Sequence, residues 1–133
     1  MPHCITLIPG DGIGPEVADA AKKVLDATGV SISWDEQLCG LSAIVDGGDA
    51  LPKETIQSCR KNQVALKGPT TTPVCGGHVS ANVRLRRELD LYASVRPSRT
   101  MEGVPSRYEG VDVVIFRENT EGLYAGLENQ VSQ

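Results

Sequence analysis

Cys4-Ile5-Thr6-Leu7-Ile8-Pro9-Gly10-Asp11-Gly12-Ile13-Gly14-Pro15 is the stretch that decides the fold. A short apolar, β-favouring run gives way to a glycine-rich turn. Pro15 then sits where the first turn of a helix tolerates a residue without an N–H. The pattern predicts strand, tight loop, helix. Val17, Ala20, Ala21, Val24 and Leu25 recur at the spacing of one apolar helical face, and Gly29 stops the helix. Residues 30–36 then alternate as a strand does.

Working outward, residues 41–45 are a short helical candidate broken by Gly47-Gly48, and Pro52 opens a second amphipathic helix to about Arg60. Residues 64–66 predict a buried strand, residues 82–89 a helix, and residues 91–95 and 111–116 two further strands, the last very apolar. Strands alternating with helices over short connections predict a layered α/β domain. There is no internal repeat and no low-complexity linker.

Composition bounds the function. A chain of 133 residues with 40% hydrophobic and 23% charged residues is long enough for a real core and is not a disordered tail. A net charge of -4 gives no reason to expect nucleic acid or an anionic membrane as partner, since both reward a basic surface. Arg84, Arg86 and Arg87 nevertheless lie together, which favours a small anion in a local pocket. Cys4, Cys39, Cys59 and Cys75 are dispersed, with neither zinc-knuckle nor disulfide-framework spacing, so a reducing compartment is expected. No apolar run is long enough to span a bilayer, and the first strand begins without a charged leader. The expected localisation is cytoplasmic.

Two loops carry glycine. In Gly10-Asp11-Gly12-Ile13-Gly14 the glycines fall at every second position, which matches the G-x-G-x-x-G dinucleotide fingerprint only in part. A tight turn needing positive φ explains them equally well. The second loop, Lys67-Gly68-Pro69-Thr70-Thr71-Thr72-Pro73-Val74-Cys75-Gly76-Gly77-His78-Val79-Ser80, offers a lysine at a strand end, three hydroxyls and Ser80 at an expected helix N-cap. These are donors suited to an anion, although a capping serine and solvated threonines account for them as well. Neither His3 nor His78 has metal-ligand spacing.

Short hydroxyl and amide donors combined with spaced guanidinium forks suit a small polycarboxylate. Ser80, Asn82 and Arg86 on one helix, Arg96 at an expected strand end and Arg117 after the apolar strand make such a set. Taken singly, each arginine is as well explained by solvation or an ion pair. Taken together, two arginines at the ends of separate strands are expected to converge on one sheet edge, where open α/β sheets bind ligands. Tyr124 is a phenol able to pass a proton to an enol carbon if a cation lowers its pKa, and equally a structural tyrosine.

Four blocks, Ile5 through Val17, Lys67-Gly68-Pro69-Thr70-Thr71-Thr72-Pro73, Ser80 through Pro97, and Asp112-Val113-Val114-Ile115-Phe116-Arg117-Glu118-Asn119-Thr120-Glu121-Gly122-Leu123-Tyr124-Ala125-Gly126, together resemble the isocitrate and isopropylmalate dehydrogenases, the β-decarboxylating dehydrogenases. Ser80 and Asn82 resemble the isocitrate branch; the isopropylmalate branch carries a Glu-containing apolar stretch before the first arginine. The resemblance implies a layered α/β/α sandwich of that family's type, its N-terminal portion, and not a true Rossmann fold. Residues 1–100 would belong to the large domain, and residues 101–133 would begin a smaller, dimer-forming one.

The resemblance further implies that Thr72, Ser80, Asn82, Arg86, Arg96 and Arg117 hold the carboxylates of isocitrate. Ile13, Lys67 and Thr71 would lie near the nicotinamide, and Tyr124 would be the proton donor. The cofactor would be NAD, with NADP the alternative, and Mg2+ or Mn2+ would be held by aspartates beyond these residues. Partners would be isocitrate and a second subunit, as a homodimer or by association with a complementary chain. Isopropylmalate- or homoisocitrate-type chemistry and a catalytically silent regulatory subunit are the alternatives. Family members are much longer than 133 residues, so this chain is expected to be a fragment without substantial activity alone.

Overall fold

A computed structural model describes residues 2–44, 48–71, 80–125 and 131, apart from the side chains of Leu123 and Tyr124. The described chain divides into two units, Met1–Leu89 and Asp90–Gln133.

The first unit is built on three parallel strands, β1 (His3–Ile8), β2 (Ile32–Glu36) and β3 (Ala65–Lys67), in the order β2-β1-β3. The register pairs Cys4 with Ser33 and Ile5 with Trp34 on one side, and Leu7 with Leu66 on the other. Parallel neighbours need a crossover. Helix α1 (Gly14–Asp26) supplies the first, and α2 (Leu41–Ile44) with α3 (Lys53–Asn62) the second. Helix α4 (Ala81–Glu88) follows β3.

Alternation along β1 sends its side chains to two faces. Ile8 joins Cys39, Leu51, Ile56, Cys59, Ala81 and Leu85 in one buried cluster, so α3 and α4 cover this face. Leu7, 1% exposed, points the other way and lines a cleft with Pro15 and Asp19 of α1. Helices therefore lie on both faces of the sheet, the α/β/α arrangement expected. Thr6, 0% exposed, faces α3 and bonds to the Ser58 hydroxyl at 2.6 Å. Asn62 Nδ2 donates to Thr6 Oγ1 at 2.9 Å and Ser58 Oγ donates to Asp35 Oδ2 at 2.7 Å, so this buried polar patch is satisfied.

The inner face of α1 differs from the expected one. Gly14 and Ala18 are buried with Ala21 and Leu25 partly so, while Val17 and Val24 are exposed. The small side chains at positions 14 and 18 let the helix sit close, which rotates the apolar stripe read from the sequence.

The second unit also departs from expectation. β4 (Ala93–Arg99) and β5 (Asp112–Glu118) form an antiparallel pair, with Val95 opposite Phe116 and Pro97 opposite Val114. Arg96 lies mid-strand, not at a strand end. The apolar run of β5 is exposed, Phe116 at 71%. Pro97 is tolerated because a two-stranded ladder consists of edge strands. The pairing runs across residue 100. Among the described residues, no helix is long and apolar enough to cross a membrane.

Candidate functional site

The strand order reverses at β1, with β2 on one side and β3 on the other. A crevice outside the carboxyl ends of strands at such a switch point is where open α/β sheets take ligands. Two loops meet here, residues 9–13 after β1 and residues 68–71 after β3. Asp11 N–H donates to the Pro69 carbonyl at 2.8 Å, and Thr71 N–H donates to Asp11 Oδ2 at 2.7 Å. Gly10 has φ +80°, and a Cβ there would collide with the Pro69 carbonyl oxygen. The glycine is required by the approach of a second loop, which accounts for it without a dinucleotide.

Asp11 was not among the expected site residues, yet it organises the crevice. Its Oδ2 also accepts Leu41 N–H at 2.9 Å and its Oδ1 accepts Ser42 N–H at 2.8 Å. Burial pushes its pKa upward, but the N–H donors of Thr71, Ser42 and Leu41, with the Ser42 hydroxyl, outweigh burial and hold it below the usual carboxylate value.

Lys67, half-buried at the end of β3, donates from Nζ to the Gly68 carbonyl at 2.8 Å and reaches Thr70 Oγ1 at 3.5 Å. Burial lowers its pKa, and the positive charge of Arg86 lowers it further. An anion between these two cations relieves both effects. Arg86 and Asn82 are half-buried on α4 and four residues apart, hence on one face of the helix. Ser80 occupies the N-cap position, with φ -51° and ψ 128°, but its side chain makes no capping hydrogen bond, contrary to the expected cap. Ile13 is the N-cap residue of α1 and is 69% exposed beside the same loops.

In the second unit, Ser94 stands opposite Arg117 in the β4–β5 register, and Arg96 Nε donates to Ser94 Oγ at 3.2 Å. Ser94 and Arg96, two apart on β4, share a face with Arg117, so the two arginines are diagonal neighbours. Tyr124 falls in a 3-10 turn, Gly122–Ala125. Thr72 lies outside the described residues. Thus Ile13, Lys67, Thr71, Ser80, Asn82 and Arg86 lie in the first unit, and Arg96, Arg117 and Tyr124 in the second.

The sequence profile of the isocitrate/isopropylmalate dehydrogenases matches residues 4–133. The chain belongs to that family. It is 49% identical over 130 residues to an NAD isocitrate dehydrogenase catalytic subunit of Arabidopsis thaliana, covering 98% of this chain and 35% of that protein. It is 46% identical to a chloroplastic 3-isopropylmalate dehydrogenase of Solanum tuberosum, covering 95% of this chain and 34% of that one. The solved isocitrate dehydrogenase of Methylococcus capsulatus superposes with a TM-score of 0.89 at 53% identity, over 98% of this chain and 39% of that one. The chain spans about a third of the length of the curated relatives it matches. Its fold is that of the N-terminal portion of an isocitrate dehydrogenase.

Proposed function

We propose that the chain is the N-terminal, substrate-binding part of an isocitrate dehydrogenase, which oxidises and decarboxylates isocitrate to 2-oxoglutarate. The observation that carries this reading is the placement of Asn82 and Arg86 one turn apart on α4, with Arg86 in electrostatic reach of Lys67 at the switch-point crevice. An amide donor on the same helix face as a guanidinium matches a carboxylate-rich substrate, and Ser80 at the head of that helix adds a hydroxyl. Arg96 and Arg117 supply further charge-assisted contacts, as does Thr72. Guanidinium groups on carboxylates that do not react orient the carbon that does.

A nicotinamide would lie against Ile13, Lys67 and Thr71, where an exposed apolar side chain adjoins polar loop backbone. When bound it accepts the hydride from the hydroxyl-bearing carbon. NAD is the assigned form. Tyr124 returns a proton to the carbon that loses carbon dioxide. Among the described residues no group of three or more His, Cys, Asp or Glu is placed to hold a metal ion. Mg2+ or Mn2+ belongs to residues beyond these 133, as does the dimer partner's contribution. The protein is assigned to the cytoplasm, and the 133 residues alone lack substantial dehydrogenase activity.

Cofactor reduction by isocitrate and magnesium tests this, with the chain assayed alone and with the remaining two-thirds of a relative supplied separately. Activity only in the complemented mixture supports the reading. Isocitrate binding that never leads to reduction would leave a silent regulatory subunit instead.

A further inference from the structure

The Asp11 carboxylate accepts hydrogen bonds from two segments distant in sequence, Thr71 N–H on the loop after β3 and Leu41 and Ser42 N–H at the start of α2. Gly40 has φ +94°, and a Cβ there would collide with Asp11 Oδ2, so residue 40 is bare where the carboxylate passes. The Asp11 backbone N–H is tied to Pro69 in the same loop. Among the described residues the carboxylate is held by three backbone N–H groups, with the Ser42 hydroxyl beside them. That arrangement sets the position of a loop.

We propose that Asp11 is a positioning residue for the nicotinamide-facing loop of residues 68–71, its carboxylate locking the Thr71 backbone to the head of α2. The inference rests on the cofactor assignment made above only for what the loop faces; the lock itself stands on the hydrogen bonds. An amide at position 11 has one acceptor oxygen where the carboxylate has two, and it turns an N–H2 toward N–H donors. Oδ2 takes Thr71 and Leu41 and Oδ1 takes Ser42, so Asp11→Asn, like protonation of Asp11, releases either Ser42 or the Thr71–Leu41 pair, and only Asp11→Ala frees all three. Among the described residues, the titratable groups in electrostatic reach are Lys67 and the buried Cys39 thiol. Burial pushes the Cys39 thiol up, so it stays neutral in acid, while Lys67 stays charged, leaving Asp11 to titrate there.

The test is amide NMR of the full 133-residue chain. In the unaltered protein, the Thr71, Leu41 and Ser42 amide shifts should follow one acid midpoint below 3.8. At neutral pH, Asp11→Ala should speed exchange of the Thr71 amide by about tenfold or more. The same variant should weaken, by about tenfold or more, the shifts that NADH induces at Ile13 and Thr71. Three independent midpoints, or a Thr71 amide indifferent to Asp11→Ala, overturn the lock. A locked loop whose NADH response survives Asp11→Ala overturns the positioning role. If NADH leaves the unaltered chain unmoved while the amides titrate together, the lock stands and the cofactor assignment fails.

Discussion

Arg84 grips Asp49 with both ends of its guanidinium, at 2.5 Å to Oδ1 and 2.7 Å to Oδ2. Asp49 Oδ1 also accepts Leu51 N–H at 3.3 Å, and Leu51 is 1% exposed in the core. The pair thus ties α4, which carries Asn82 and Arg86, to a segment anchored in the core. Arg84 itself is turned away from the role its neighbour Arg86 is assigned.

The Arg84 guanidinium lowers the Asp49 pKa to about 2. A carboxylate depressed in the fold adds stability that is complete above its ordinary value of 3.8 and is lost as pH falls toward 2. Both side chains are partly solvated, which limits the pair to roughly 0.2–1 kcal/mol. Arg84→Ala is expected to lower stability by that amount at neutral pH, and the difference from the parent should vanish near pH 2. Denaturant unfolding at both pH values checks it, and a deficit unchanged in acid would count against the pair.

Thr6→Val keeps shape and deletes one hydroxyl from the buried patch beneath α3. Ser58 and Asn62 lose a partner there, and the expected cost is about 1–3 kcal/mol. Urea midpoints of the two proteins measure it. An unchanged midpoint would mean that Asp35 alone satisfies both groups.

Gly10 and Gly12 both have positive φ, but only at Gly10 would a Cβ collide, with the Pro69 carbonyl. Gly12→Ala is expected to cost only the left-handed penalty of about 1–2 kcal/mol. Gly10→Ala should cost more and disturb the Asp11 to Pro69 hydrogen bond. Equal destabilisation would refute the stitched-loop description.

The strand–loop–helix opening, the short α2, the span of α3 and the family itself were legible from residues 4–17, 41–60 and 67–126. Hydrophobic alternation and glycine punctuation are local signals. Asp11 was missed because its partners, Thr71 and Leu41, stand 60 and 30 residues away. No local pattern marks a carboxylate for distant backbone. The α1 face was misplaced because valines at 17 and 24 outweigh a glycine and an alanine in any apolar count. Likewise an apolar run such as residues 111–116 reads as buried whether its strand pairs on one side or two, so the antiparallel β4–β5 pair was not foreseen.

Arg96→Ala removes a charge-assisted donor from a strand face that is already exposed. Isocitrate affinity should fall by about 1.5–3 kcal/mol with no change in fold. Calorimetry and circular dichroism on the same samples separate the two effects, and undiminished affinity would remove Arg96 from the site.

The central claim is that these residues form a tricarboxylate site of the isocitrate kind. Calorimetric titration of the 133-residue chain with isocitrate and with 3-isopropylmalate tests it most directly. The account predicts saturable isocitrate binding that is tighter by about tenfold or more, or at least 1.4 kcal/mol. No isocitrate binding, or equal or tighter binding of 3-isopropylmalate, would contradict it.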